Sequence, residues 1–179
     1  MKAPRTIGTD RLLLRRPAAH NARAIFERYA GDPEVTRYMS WPMHRTIADT
    51  NAFLSWSETD WERWPAGSYL VFSRSGILLG GTGLSFKTPV FAVTGYVFAR
   101  DAWGHGFATE SLQAMVELAR ALGVLRLEAE CHVEHRASAR VMEKCGFAFE
   151  GVRHEHIEFP NLKPGVKLDV LCYARTFSG

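Results

Sequence analysis

Apolar positions along the chain change their spacing several times, and each change marks an element. Residues 9–16 (TDRLLLRR) set three leucines between charged flanks and predict a first strand. Over residues 18–29, Ala22, Ile25, Phe26 and Tyr29 recur at helical spacing. Asp32-Pro33-Glu34 is a helix start, with Asp32 as N-cap and Pro33 at the first helical position. Thr46, followed by Asp49 three residues on, opens a further helix in a capping-box arrangement; it carries Phe53, Leu54, Trp56 and Trp61. Residues 68–73, 77–86 and 91–98 then read as strands separated by Gly- and Pro-bearing turns, an antiparallel meander.

The second half alternates. Residues 108–122 form an amphipathic helix with Leu112, Met115, Val116, Ala119 and Leu122 on its apolar stripe and Gly123 just past its end. A strand (124–132), a short helix (137–145) closed by Gly146, a strand (147–155) and a last strand (168–176) follow. The pattern predicts an α/β fold with a mixed, mostly antiparallel sheet, in one domain over residues 1–179.

Composition narrows the class. With 46% apolar and 23% charged residues the chain can build a core, which argues against disorder. No apolar run approaches the ~20 residues needed to span a bilayer, and Leu12, Leu13 and Leu14 are too short a run for a signal-peptide core, so the expected location is cytoplasmic. Cys131, Cys145 and Cys172 lack CxxC spacing and read as buried thiols in a reducing compartment. A formal charge of +3 without any Lys/Arg-rich stretch gives little support to a nucleic-acid partner.

The chemistry concentrates at residues 98–110. A strand ends, Gly104 and Gly106 remove side-chain bulk, and a strong helix begins. Free N–H groups and the positive end of a helix dipole suit an anion, and the glycines let oxygen atoms approach the main chain. The Gly-Lys-Ser/Thr of a Walker loop is absent, and a dinucleotide fingerprint would need a third glycine and an earlier place in the chain.

Residues 103–110 (WGHGFATE) resemble the Trp-Gly-x-Gly-aromatic-Ala-Thr-Glu motif of the GNAT acetyltransferase superfamily, in its Rim-type branch, named for ribosomal-protein N-terminal acetyltransferases. Four other segments resemble that branch in the right order: Thr9-Asp-Arg-Leu-Leu-Leu-Arg15, Gly95-Tyr96, Ala137-Ser138-x-x-Val-x-Glu-Lys-x-Gly146-Phe147 and Asp169-Val-Leu-Cys-Tyr173. The resemblance implies a GNAT fold, a splayed, mixed sheet flanked by helices that holds acetyl-CoA as co-substrate in its gap. It also implies main-chain contacts from Val97, Phe98 and Ala99 to the pantetheine arm. Gly104, His105, Gly106, Phe107, Ala108 and Thr109 would grip the pyrophosphate, with Trp103 in a place where many members carry Gln or Arg. Homodimers are frequent in the branch.

Acyl transfer to an amine needs a neutral nucleophile, an oxyanion donor and help for the departing thiolate. The Tyr that many members use as acid is Met142 here, and a carboxylate frequent two residues before the Gly-Tyr is Val93. The resemblance leaves Ser138, which also contacts cofactor, to protonate the thiolate, and His135, in the place of an Asn, as pantetheine ligand or base. Ser138 also suits a helix-start bond to backbone, and His135 a solvated loop. Glu110 reads as a dipole-matching residue, and Glu128 and Glu130 as one solvated strand face. His132, His135, His154 and His156 lack the spacing of a metal site, although His154 and His156 would share a strand face; no metal is expected. Trp41, Phe53, Trp56, Trp61, Trp64 and Tyr69 suit either core packing or the apolar wall of an acceptor pocket, with Arg45 and Asp49 as polar accessories.

The expected function is transfer of acetyl from acetyl-CoA to a primary amine: a small molecule, a peptide or a protein N-terminus. A non-catalytic acyl-CoA sensor is the alternative from another class.

Overall fold

The computed structural model describes residues 2–178. Its eight strands form one sheet in the order β1-β2-β3-β4-β5-β6-β8-β7. β1 (Thr6–Gly8) and β2 (Leu12–Arg15) form a hairpin, and β3 (Ser68–Ser73), β4 (Leu78–Thr88) and β5 (Phe91–Phe98) continue the antiparallel run. β6 (Arg126–His132) pairs parallel with β5 and antiparallel with β8 (Lys167–Thr176); β7 (Ala148–Glu158) closes the far edge.

One face is covered by α4 (Phe107–Ala121) and α5 (Arg136–Lys144), over a core that includes Leu112, Met115, Val116, Leu127 and Met142. Short α1 (Ala22–Ile25), which runs on as a π turn through Ala30, α2 (Pro33–Thr36) and α3 (Ile47–Arg63) cover part of the other face over Ile25, Tyr29, Leu54 and Leu70. Side chains alternate along β3 to feed both layers: Tyr69 and Val71 go to the first core, Leu70 to the second.

Within the segment expected as a strand, residues 9–16, β2 spans Leu12–Arg15, while residues 9–11 form the turn that joins it to β1, a strand the pattern did not show. The hydroxyl of Thr9 accepts the Leu12 N–H at 3.1 Å, so Thr9 makes the turn rather than opening the strand. Asp32 caps α2 by accepting from the Glu34 and Val35 N–H groups, and Asp49 accepts the Arg45 and Thr46 N–H groups ahead of α3. At the other end of α3, the ammonium of Lys2 donates to the carbonyls of Trp61, Glu62 and Trp64.

Candidate active site

β5 and β6 are paired only at Phe91↔Arg126, Ala92↔Leu127 and Val93↔Glu128. Beyond Val93 the two strands part, each still held by its other neighbour. The Ala99 N–H donates to the Leu79 carbonyl at 2.8 Å, and the Gly95 carbonyl accepts the Thr82 hydroxyl, so odd-numbered residues of this stretch point their main chain toward β4. By alternation, Tyr96 and Phe98 point theirs into the gap. The Phe98 carbonyl is taken by the Trp103 indole N–H at 2.8 Å. The Ala99 carbonyl accepts the Ala102 N–H, which leaves Ala99 with both main-chain groups engaged by protein.

From the end of β5 the chain enters the glycine turn. Gly104 and Gly106 have φ of +75° and +77°, the left-handed region where a Cβ is strained. Among the described residues, no protein acceptor lies within reach of the N–H groups of Gly104, His105, Gly106, Phe107, Ala108 or Thr109. The turn is braced from behind. Arg11 donates to the His105 carbonyl at 2.8 Å and lies over the Phe107 ring. Glu110 accepts the Thr9 hydroxyl, the Arg11 N–H and the Arg11 guanidinium. Burial acts to raise its pKa, but these bonds and the Arg11 charge outweigh burial and hold the carboxyl below its ordinary range. Glu110 therefore ties the first turn of α4 to the β1–β2 hairpin.

A cleft of about 940 Å³ runs through the parted strands. At its base, on the α5 side, the Ser138 hydroxyl lies 2.8 Å from the Tyr96 hydroxyl, which also reaches the Ser138 carbonyl at 3.0 Å. Ser138 is buried, and burial keeps the Tyr96 phenol protonated well above its usual range. Met142 is buried in the same wall. His135 ends the turn before α5, half-buried, and stacks on Tyr38 with 4.8 Å between ring centres. Burial first, and then the neighbouring His132, lower its pKa and favour the neutral imidazole.

Glu128 and Glu130 do share a face of β6, but it is not a solvated one. β6 is an interior strand beside the gap, and Arg126 and Arg153 fold over this face. The Glu130 side chain is 14% exposed and lines the cleft; its Oε1 receives Arg153 at 2.6 Å, while no protein donor reaches its Oε2 among the described residues. His154 and His156 separate because β7 is irregular between Arg153 and Ile157, with Glu155 at φ +48°. His154 meets Asp169 at 2.8 Å, and His156 lies 3.6 Å from Glu130. No group of three or more His, Cys, Asp or Glu among the described residues could hold a metal. All three cysteines are free, buried thiols.

The aromatic cluster divides. Trp61 and Tyr69 are buried edge to face, and Trp64 stacks on Phe86. Trp41, Phe53 and Trp56 line the cleft, with Arg45 and Asp49 beside them. Sequence reasoning passed over Tyr38 and Asn161. The Asn161 amide donates to the Thr36 and Trp41 carbonyls at 2.8 and 2.9 Å and accepts the Met43 N–H at 2.8 Å. No spacing rule could have linked it to residues about 120 positions earlier; only its lying between Pro160 and Leu162 marked it as a loop residue.

A sheet parted beside a glycine turn with free N–H groups defines an acyl-CoA-dependent transferase architecture, and comparison gives the family. Residues 11–148 match the acetyltransferase (GNAT) domain family, and the chain belongs to it. The N-acetyltransferase YnaD of Bacillus subtilis, itself uncharacterised, is 30% identical over 81% of this chain and 84% of its own length. A GNAT-family acetyltransferase from Bacillus anthracis superposes with a TM-score of 0.82 at 26% identity, over 96% of this chain and 98% of that one. RimL, a ribosomal L7/L12 α-N-protein acetyltransferase solved with coenzyme A, also gives 0.82 over 96% and 98% of the two chains; at 23% identity it speaks for the fold. The protein is an N-acetyltransferase that uses acetyl-CoA. No helix among the described residues is long and apolar enough to cross a membrane.

Proposed function

We propose that residues 1–179 act as one GNAT domain that acetylates a primary amine, with the diphosphate of acetyl-CoA held by the N–H groups of Gly104 through Thr109. The observation that carries this reading is the run of six N–H groups with no protein partner among the described residues, in the turn that follows β5 beside the gap. The pantetheine arm lies along β5, where Tyr96 and Phe98 turn their N–H groups into the gap. One of these N–H groups receives the thioester carbonyl and stabilises the oxyanion. Val97 and Ala99 then flank the arm without donating to it.

The acceptor approaches from the α1–α3 side. As an ammonium it is drawn to the open Oε2 of Glu130, and the neutral imidazole of His135 takes its proton. Ser138 serves the leaving group. A serine hydroxyl is a weaker acid than a thiol, so it stabilises the thiolate by donating a hydrogen bond rather than by giving up its proton. The 2.8 Å contact allows Tyr96 to donate to Ser138 Oγ, and in that arrangement the Ser138 O–H is free to point at sulfur.

An amine panel with acetyl-CoA, read as release of free thiol, tests the function. Amine-dependent thiol release is expected. Tight acetyl-CoA binding with no turnover on any amine would favour the sensor instead.

A further inference from the structure

The acceptor side of the cleft has two walls that different parts of the chain supply. One is the segment from Tyr38 to Arg45 between α2 and α3; the other is the end of β7, with Ile157 and Phe159. Asn161 joins them. Its side chain makes three hydrogen bonds to main-chain groups, one at Thr36 at the end of α2 and two in the first wall, at Trp41 and Met43. Tyr38 spans the same divide by stacking on both His132 and His135, and Phe159 packs edge-on against His132. The walls are thus bridged rather than free to open as a groove.

We propose that this bridged chamber selects a small primary amine bearing an aromatic or flat apolar group, and that Asn161 is the positioning residue that enforces the selection. The inference rests on the acetyltransferase reading above. A peptide or protein N-terminus needs main-chain partners along an open edge. In the first wall the Trp41 carbonyl and the Met43 N–H are spent on Asn161, and the N–H groups of Met39, His44 and Arg45 are taken by Thr36, Ala30 and Asp49. A polyamine needs several open carboxylates. Asp49 takes the Arg45 and Thr46 N–H groups on Oδ2 and Glu130 takes Arg153 on Oε1, so each of these two carboxylates offers a single oxygen. What remains is an apolar box walled by Trp41, Met43, Phe53, Trp56, Ile157 and Phe159, with one open oxygen on each of Asp49 and Glu130. Such a box favours a ring stacked between aromatic walls and one ammonium at its end. Walls held in place before binding lower the ordering cost of taking up so small a ligand.

The experiment compares tryptamine, 2-phenylethylamine, spermidine and a short peptide with a free N-terminus, using wild type and Asn161→Ala. Wild type is expected to show kcat/KM at least ten-fold higher for the two arylalkylamines than for spermidine or the peptide. In Asn161→Ala the arylalkylamine KM is expected to rise about five-fold or more with kcat little changed. Its preference over the peptide narrows, while acetyl-CoA affinity by calorimetry stays the same. Trp41→Ala, which leaves the Asn161 bonds to the main chain in place, is expected to raise the arylalkylamine KM by a similar factor. If Asn161→Ala fails to fold, Trp41→Ala and the wild-type ranking carry the test. A wild-type preference for spermidine or the peptide overturns the inference and leaves the acetyltransferase reading standing. Unaltered KM values and ranking in folded Asn161→Ala and Trp41→Ala overturn it equally. Acetyl-CoA binding without turnover on any amine overturns the reading beneath it.

Discussion

Single side chains divide into those whose role follows from local sequence and those whose role depends on distant partners. Ser138 belongs to the first group: its motif, its place at the start of α5 and its burial agree. Replacing it with Ala keeps the carbonyl that Tyr96 also reaches, so the fold is expected to hold. A hydrogen bond to a charged group contributes about 1.5–3 kcal/mol, so kcat in Ser138→Ala is expected to fall roughly ten- to a hundred-fold with acetyl-CoA affinity unchanged. Stopped-flow turnover beside calorimetry checks this, and wild-type kcat would remove Ser138 from the leaving-group role. Glu110 belongs to the second group. Its spacing suggested only a dipole match, because Thr9 and Arg11 lie about 100 residues away. Its folded pKa is depressed, so its stabilisation is complete above the ordinary carboxylate value of 4.5 and is lost as pH falls through the lower folded value. Glu110→Gln is expected to unfold several degrees below wild type at pH 7, with the gap closing as pH drops below about 4. An equal gap at both pH values in thermal melts would show that the carboxylate charge contributes nothing.

Elements were legible where period and punctuation agreed. β3 and β5 fall at the expected residues, and α4 and α5 differ from expectation by one residue at each end. The hairpin at the start was not legible, because Thr6–Gly8 is too short and too polar to show alternation and the Thr9 turn is a side-chain effect. The buried face of β6 was misjudged for a similar reason: Glu128 and Glu130 look solvated until Arg126 and Arg153 are folded over them. The turn before α4 offers a graded test of backbone conformation. A Cβ on Gly104 would meet no atom within 4 Å, so the difficulty there is φ alone. Asn tolerates the left-handed region better than Ala, and a β-branched residue tolerates it worst. Acetyl-CoA affinity is therefore expected to decline in the order Gly104→Asn, Gly104→Ala, Gly104→Val, with at least a ten-fold loss for Val and melting temperatures close to wild type. Equal affinities across the three folded variants would mean that the N–H groups of this turn do not hold the diphosphate.

At the scale of the whole molecule, the sheet is two units joined by three residue pairs at β5 and β6 and by α4, α5 and the Tyr96–Ser138 contact. The order of elements foretold a mixed sheet; the parting of its strands came into view only through the family resemblance, since a strand beside a gap reads like any other. That geometry makes a prediction that no single substitution can imitate. Gly95 and Val97 turn their N–H groups toward β4, whereas Tyr96 and Phe98 turn theirs into the gap. In the free protein, amide exchange followed residue by residue by NMR is expected to be slow at 95 and 97 and fast at 96 and 98. Acetyl-CoA lying along β5 as a surrogate strand is expected to slow residues 96 and 98 by an order of magnitude or more while leaving 95 and 97 unchanged. Ligand that merely stiffened the molecule would protect all four alike, and ligand held elsewhere would protect none. The alternating pattern arises only if acetyl-CoA takes the place that β6 gives up beyond Val93.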